Sequence, residues 1–309
     1  MCGIAGIIHR NQTSDVGTEM TAMLQSMKHR GPDSTGYALF GEPTGRTLIR
    51  FKLADANDPR DFDFRARLQR NRARVEARLR EIGASIDRID AETEYAFRAV
   101  VRYNGDLKTL ADYLEDIPGC EVLSLGTSLE IVKDLGDANE VASQYELRGF
   151  QGTHAIGHVR MATESDVDIS GAHPYWAYPF ADVAVVHNGQ LTNYFQWRRR
   201  LERSGHRFQS ECDSEIIAVY LAEKMANGSG LKDAMEESLD ELDGVFTYMA
   251  VTKDSLGVAK DEMAAKPLVL YESDDMVVMA SEEIAIRAVL DREIDTSDPY
   301  ERQVLVWTR

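Results

Sequence analysis

A chain of 309 residues has room for two ordinary domains or one large one, and 43% hydrophobic with 28% charged residues is the composition of a globular protein with its own core. With 52 acidic against 35 basic residues the formal charge is −17, which argues against nucleic-acid binding as the main task, because neutralising phosphates requires a basic surface. Three cysteines, at 2, 120 and 212, argue against a disulfide scaffold and, without CxxC spacing, against a structural zinc site. No apolar run approaches the ~20 residues of a membrane span, and no basic segment precedes the short apolar start. The expectation is a cytoplasmic chain with no metal and no membrane contact.

The apolar, β-branched run 2–8 predicts a buried strand at the start of the chain. Met20, Met23, Leu24 and Met27 recur at helical spacing, and Gly31-Pro32-Asp33 should end that helix. Strands are expected at 35–40 and 46–52. From Phe64 to Ile89 the positions Val75, Leu79, Ile82, Ile86 and Ile89 step as one helix face does, and seven arginines lie between 65 and 80. Residues 91–136 read as a small α/β segment, with strands near 97–103 and 121–125 and a helix near 106–115. The segment 53–148 is therefore expected to be an inserted subdomain. Strands then recur at 153–160 and 182–187, helices at 193–204, 213–226 and 230–240, strands at 245–251, 255–260, 267–271 and 276–280, a short helix at 282–290 and a last strand at 303–307. Antiparallel-looking runs of strands with helices in separate blocks predict stacked layers rather than a βαβ repeat.

Cys2 follows the initiator methionine. Removal of Met1 would leave a thiol and a free α-amine on one residue, and an amine titrating near ~8 can take the thiol proton and later protonate a leaving group. The competing reading is a small buried hydrophobe at the start of a strand. Val185-Val186-His187-Asn188-Gly189 ends an apolar strand in Asn-Gly, which alone reads as a turn. Its chemical reading is an oxyanion site built from the Asn188 side-chain amide and the Gly189 backbone N–H.

Met1-Cys2-Gly3-Ile4-Ala5-Gly6-Ile7, His29-Arg30-Gly31-Pro32-Asp33-Ser34, Gly157-His158-Val159-Arg160-Met161-Ala162-Thr163, Ala172-His173-Pro174, Val186-His187-Asn188-Gly189 and Cys212-Asp213-Ser214-Glu215 resemble, in order, the motifs of class II glutamine amidotransferases, which are N-terminal-nucleophile hydrolases. Gly244-Val245-Phe246, Ala265-Lys266-Pro267-Leu268 and Ala280-Ser281-Glu282 resemble the family's closing strands. The resemblance implies an α+β fold, a four-layer αββα sandwich of antiparallel sheets. The amidotransferase domain would comprise 1–52 and 149–309, with 53–148 inserted. It implies Cys2 as nucleophile with its α-amine as base, and Asn188 and Gly189 as oxyanion hole. Arg160 would pair with the glutamine α-carboxylate and Asp213 with its α-ammonium, Met161 and Thr163 would line the pocket, and Arg30 would belong to a covering loop. On the residues alone, Arg160 and Asp213 also fit a structural ion pair and a helix N-cap. Met161 stands where many members carry Trp, and Glu164 where many carry His. These departures motivate an alternative, a catalytically silent subunit that binds glutamine or glutamate. The motif histidines read as packing and orienting groups, and Cys120 and Cys212 as structural.

Leu123-Ser124-Leu125-Gly126, Glu130 to Gly136, Tyr145 and Gly152 to His158 resemble stand-alone amidotransferase subunits of the glutamate-synthase type, above all that of N-methylglutamate synthase. That resemblance implies no cofactor in this chain, flavin on glutamate-synthase-like partner subunits, and a hetero-oligomer. The arginine-rich helix reads as a solvated face, as a basic docking patch for an acidic partner or, third, as an RNA contact.

Overall fold

The computed structural model describes residues 2–161 and 169–309. Among them the strands form four sheets. The largest has the order β15 (Val269–Glu272), β16 (Met276–Ala280), β1 (Gly3–His9), β10 (His154–Arg160), β3 (Ser34–Phe40), β8 (Leu129–Leu135), with antiparallel neighbours throughout. The second is β11 (Tyr175–Trp176), β12 (Ala184–Leu191), β13 (Gly244–Val251), β14 (Ser255–Lys260), β17 (Val304–Thr308), also antiparallel. A third has the order β5 (Ser85–Ala91), β6 (Ala96–Arg102), β4 (Thr47–Lys52), β7 (Glu121–Gly126), and β2 (Ser14–Asp15) pairs with β9 (Gln151–Gly152).

The two large sheets stack face to face, β1 and β10 against β12, β13 and β14. Helices α1 (Val16–Ser26), α4 (Ala138–Gln144) and α8 (Glu283–Arg287) cover the six-stranded sheet, and α6 (Asp213–Ala226) and α7 (Leu231–Glu241) the five-stranded one, with α5 (Tyr194–Arg203) against α6. This is the expected αββα sandwich. Layering explains the sequence of its strands. With both faces covered, β1 and β3 are buried at every position, so β1 reads as a nearly continuous apolar run and β3 ends in one, without alternation. The same position between sheet and neighbouring helices makes α6 apolar nearly all round.

The third sheet carries α2 (Phe64–Glu81) and α3 (Leu107–Glu115). Hydrogen bonding rather than chain order sets which strands belong to it. β4 already belongs to it, whereas β8 and α4 lie with the six-stranded sheet. A buried ionic knot joins the two. Glu130 of β8 accepts from Arg50 of β4 (2.8 Å) and in bidentate fashion from Arg98 of β6 (2.6 and 2.8 Å). Burial alone would raise the Glu130 carboxyl, but the two guanidiniums outweigh it and hold it below the usual carboxylate range.

The helix expected to run through Ile89 stops at Glu81. Gly83, at φ +85°, ends it in a Schellman turn: its N–H bonds the carbonyl of Arg80 (3.0 Å) and that of Ala84 bonds Leu79 (2.8 Å). Ile86 and Ile89 then lie on β5, whose register shifts between Ile86 and Arg88. A bulge places apolar residues three apart on a strand, which imitates helical spacing.

Candidate active site

Cys2 precedes β1 at the centre of the six-stranded sheet and is half-buried. Its carbonyl accepts from Arg30 Nε (3.0 Å) and Asn188 Nδ2 (3.2 Å). Arg30 ends the 3-10 turn Lys28–Arg30 after α1, and its Nη1 meets Glu282 Oε1 at 2.6 Å. His29 reaches the same carboxylate at 3.0 Å. Burial pushes the Glu282 carboxyl up, but Arg30 and His29 together hold it below its ordinary value. Beside it, Ser281 Oγ accepts the N–H of Ile4 (3.0 Å), while the Ser281 N–H donates to the Ile4 carbonyl (2.9 Å). The first residues are thus fixed through their backbone.

Asn188 and Gly189 do not form the turn that their sequence suggests. They lie inside β12, paired with Thr247 and Phe246. Gly189 has φ +151°, and a Cβ there would stand 2.2 Å from the Val245 carbonyl oxygen, so no other residue fits without moving the strand. Two residues on, the N–H of Leu191 donates to Asp213 Oδ2 (2.7 Å). Asp213 is the first residue of α6 and not its N-cap. The cap position is Cys212, which makes no side-chain cap bond. The other Asp213 oxygen lies 3.3 Å from Ser214 Oγ and 3.7 Å from His187 Nδ1.

Behind β12 three histidines pack together. His158 and His173 lie 4.0 Å apart, ring to ring, and His173 and His187 6.4 Å. The His187 N–H donates to His173 Nδ1 (3.2 Å), and His187 Nδ1 bonds Ser214 Oγ (2.8 Å). Desolvation, reinforced by the like charges of His187 and Arg160, pushes His158 down to about 3, and desolvation with the same neighbours holds His173 well below its ordinary value. Burial lowers His187 as well, so desolvation disfavours the charged form of all three imidazoles. Because the folded pKa of His158 lies below its unfolded value, the unfolded chain binds more protons between about pH 6.5 and 3. The stability this group supports is complete above that window and drains away as pH falls through it. One such histidine accounts for about 2 kcal/mol between pH 7 and 5. Urea midpoints at the two pH values should fall accordingly in the natural chain, and His158→Gln should reduce that slope whatever its effect at pH 7.

The structure therefore brings Cys2, Arg30 and Asn188 into direct contact, sets Gly189 beside them, and joins Asp213 through Leu191. Arg160 ends β10. The Gly3–Val159 pair of the β1–β10 register puts it one step on, next to Cys2, with half-buried Met161 following. Thr163, with Glu164, lies outside the described residues. Ser281 and Glu282 were not among the predicted site residues. Their signal was the Ala280-Ser281-Glu282 motif, whose partners lie more than 250 residues away in sequence. Among the described residues no cluster of three His, Cys, Asp or Glu side chains could hold a metal ion, and no helix is long and apolar enough to cross a membrane.

The αββα architecture recurs among known proteins similar to this chain. A glutamine amidotransferase domain profile matches residues 158–288. The "Putative glutamine amidotransferase" of Methanothermobacter thermautotrophicus is 37% identical over 311 residues, covering 98% of this chain and 99% of its own. The glutamine amidotransferase-like protein GlxB of Rhizobium meliloti is 35% identical over 297 residues, covering 95% and 93%. The glutamine phosphoribosylpyrophosphate amidotransferase of B. subtilis shares the fold, with a TM-score of 0.62 at 21% identity over 99% of this chain, which spans about half (47%) of that enzyme. The chain belongs to the glutamine amidotransferase family.

Proposed function

We propose that this chain is a glutaminase that uses Cys2 as nucleophile, and that it works as one subunit of a glutamate-synthase-like assembly, N-methylglutamate synthase being the favoured one. The observation that carries the first part is the double anchoring of the Cys2 carbonyl by Arg30 and Asn188, which holds that residue by its backbone beside the Asn188 amide. With Met1 removed, the amine takes the thiol proton and sulfur attacks the side-chain amide carbon of glutamine. The resulting oxyanion is received by the second N–H of the Asn188 amide and the Gly189 N–H. The ammonium returns its proton to the leaving nitrogen, ammonia departs, and water cleaves the γ-glutamyl thioester to give glutamate and the free thiol.

Arg160 next to Cys2 suits the substrate α-carboxylate. Asp213, with lone pairs left after its bond to Leu191, suits the α-ammonium. Met161 and Thr163 would line the pocket between them, and Arg30 with Glu282 would form its covering edge. The assembly reading rests on the resemblance of 123–126, 130–136, Tyr145 and 152–158 to stand-alone amidotransferase subunits of the glutamate-synthase type. Flavin would belong to those partners.

The test is covalent. A diazoketone analogue of glutamine should alkylate the Cys2 sulfur with loss of dinitrogen, adding one label per chain by intact mass. Peptide mapping should place it on Cys2 and on neither Cys120 nor Cys212, and excess glutamine should protect. A retained Met1 in active material, or label elsewhere, would overturn the reading.

A further inference from the structure

Arginines on this acidic chain are of two kinds. Six of the seven on α2 have a carboxylate within 4 Å, supplied by Asp61, Asp63, Glu76, Glu94 or Asp116. Their charge is balanced inside the chain, which leaves little for the docking patch that the sequence suggested there. Helix α5 differs. Its inner face is anchored by Trp197, which packs edge-on against Tyr220 (5.0 Å) and donates its indole N–H to the Glu241 carbonyl (2.9 Å). Its outer face exposes Arg199, Arg200 and Arg203, none of which has an ion-pair partner among the described residues. With Gln196 and Ser204 they line an open groove of about 600 Å³.

The helix C-terminus favours cations, which accounts for Arg200 and Arg203 in the last turn, and Arg200 also stacks on Trp197 (4.4 Å). It does not account for Arg199, which stands four residues before Arg203 in a repulsive like-charge pair. Nor does it account for Phe195, 69% exposed, one turn before Arg199. An exposed aromatic beside unpaired guanidiniums is the composition of an interface centre.

We infer that the outer face of α5, with Phe195, Arg199 and Arg203 at its centre, is a docking surface for an acidic patch on a partner subunit. This rests on the multi-subunit reading above. An extended polyanion such as nucleic acid needs a broad basic track, which a chain of net charge −17 does not supply, whereas a compact acidic patch needs only this one face. A two-fold contact between copies would set α5 against α5, arginine against arginine. A partner with an apolar pocket rimmed by carboxylates satisfies all three side chains. The surface begins four residues after Leu191, so a docked subunit would sit directly beyond the strand that carries Asn188 and Gly189.

The experiment replaces Phe195 with p-benzoylphenylalanine in the tagged full-length chain, expressed in its source cells, followed by irradiation and denaturing purification. The expected product is a link to a second polypeptide whose joined peptide, by mass spectrometry, is rich in Asp and Glu. Arg199→Glu with Arg203→Glu should lower the yield at least about tenfold, and added salt should lower it further. The same photoreactive residue at Phe62, fully exposed beside α2, should give no such link. Links to a second copy, to nucleic acid or to a peptide without acidic residues, or a yield indifferent to charge reversal, would overturn the inference. Native size distinguishes the two failures. A chain that runs as a monomer in extract sinks the assembly reading, whereas a large complex without a link at 195 sinks only this surface. The double variant should keep diazoketone labelling of Cys2, showing that it is folded.

Discussion

Cys2→Ala releases no ammonia from glutamine, a loss of at least ~10³-fold, while its thermal unfolding stays close to that of the natural chain. The first half follows from the proposed covalent route, in which no other group can form the thioester. Cys120 is buried with its thiol pushed up by desolvation, and Cys212, also raised chiefly by desolvation, sits behind Asp213 at 3.8 Å from His173. The second half follows from how the residue is held. Arg30, Asn188 and Ser281 bind the backbone of Cys2 and Ile4, so trimming one half-buried sulfur leaves each of those bonds in place. Cys2→Ser is the sharper variant. It keeps the shape and the α-amine, but an alcohol is far less acidic than a thiol and the amine is too weak a base for it, so the loss should be nearly as large. The measurement is coupled-assay ammonia release beside a melting curve. Rates equal to the natural chain would remove catalysis from this residue and leave the silent-subunit reading in its place.

Much of this arrangement was legible in the sequence where one local signal decided it. The helix expected at 213–226 is α6, and the strands expected at 245–251, 255–260 and 276–280 lie close to their observed limits. The short motifs around Cys2, Arg30 and Asn188 marked residues that the fold brings within hydrogen-bond reach across 28 and 186 positions. What escaped was set by partners rather than by neighbours. The bulge on β5 imitated a helix. β8 follows β7 in the chain yet pairs with β3, because Asp182, 53 to 55 residues ahead, gathers the N–H groups of Thr127, Ser128 and Leu129 at the turn between them. Glu130 carries a charge that any reading of the sequence places at the surface, and it is buried because Arg50 and Arg98 come to it from another sheet. The Asn-Gly of β12 has the composition of a turn and the conformation of a strand, since the left-handed φ that glycine allows serves the close approach of β13.

Asn188→Ala tests the oxyanion role and should lower kcat for glutamine by about 10²- to 10³-fold with little change in KM, since the lost donor acts on charge that develops only in the transition state. The chain should remain folded. Asn188 is buried, but a bond such as its side chain makes to the Cys2 carbonyl is worth about 1 kcal/mol, and Arg30 Nε still holds that carbonyl. Asn188→Asp should be worse, because a carboxylate cannot donate and would oppose both the Cys2 carbonyl and the developing oxyanion. A purely structural role would also slow turnover, by letting Cys2 drift, so the deciding readout is alkylation of Cys2 by iodoacetamide. That displacement forms no tetrahedral oxyanion and reports only thiolate and access. If Asn188 stabilises the oxyanion, alkylation proceeds at the natural rate in Asn188→Ala while glutamine turnover collapses. If Asn188 only positions Cys2, both fall together. A kcat within about threefold of the natural chain would show that this amide is not the transition-state donor, and the hole would have to be built from Gly189 and another group.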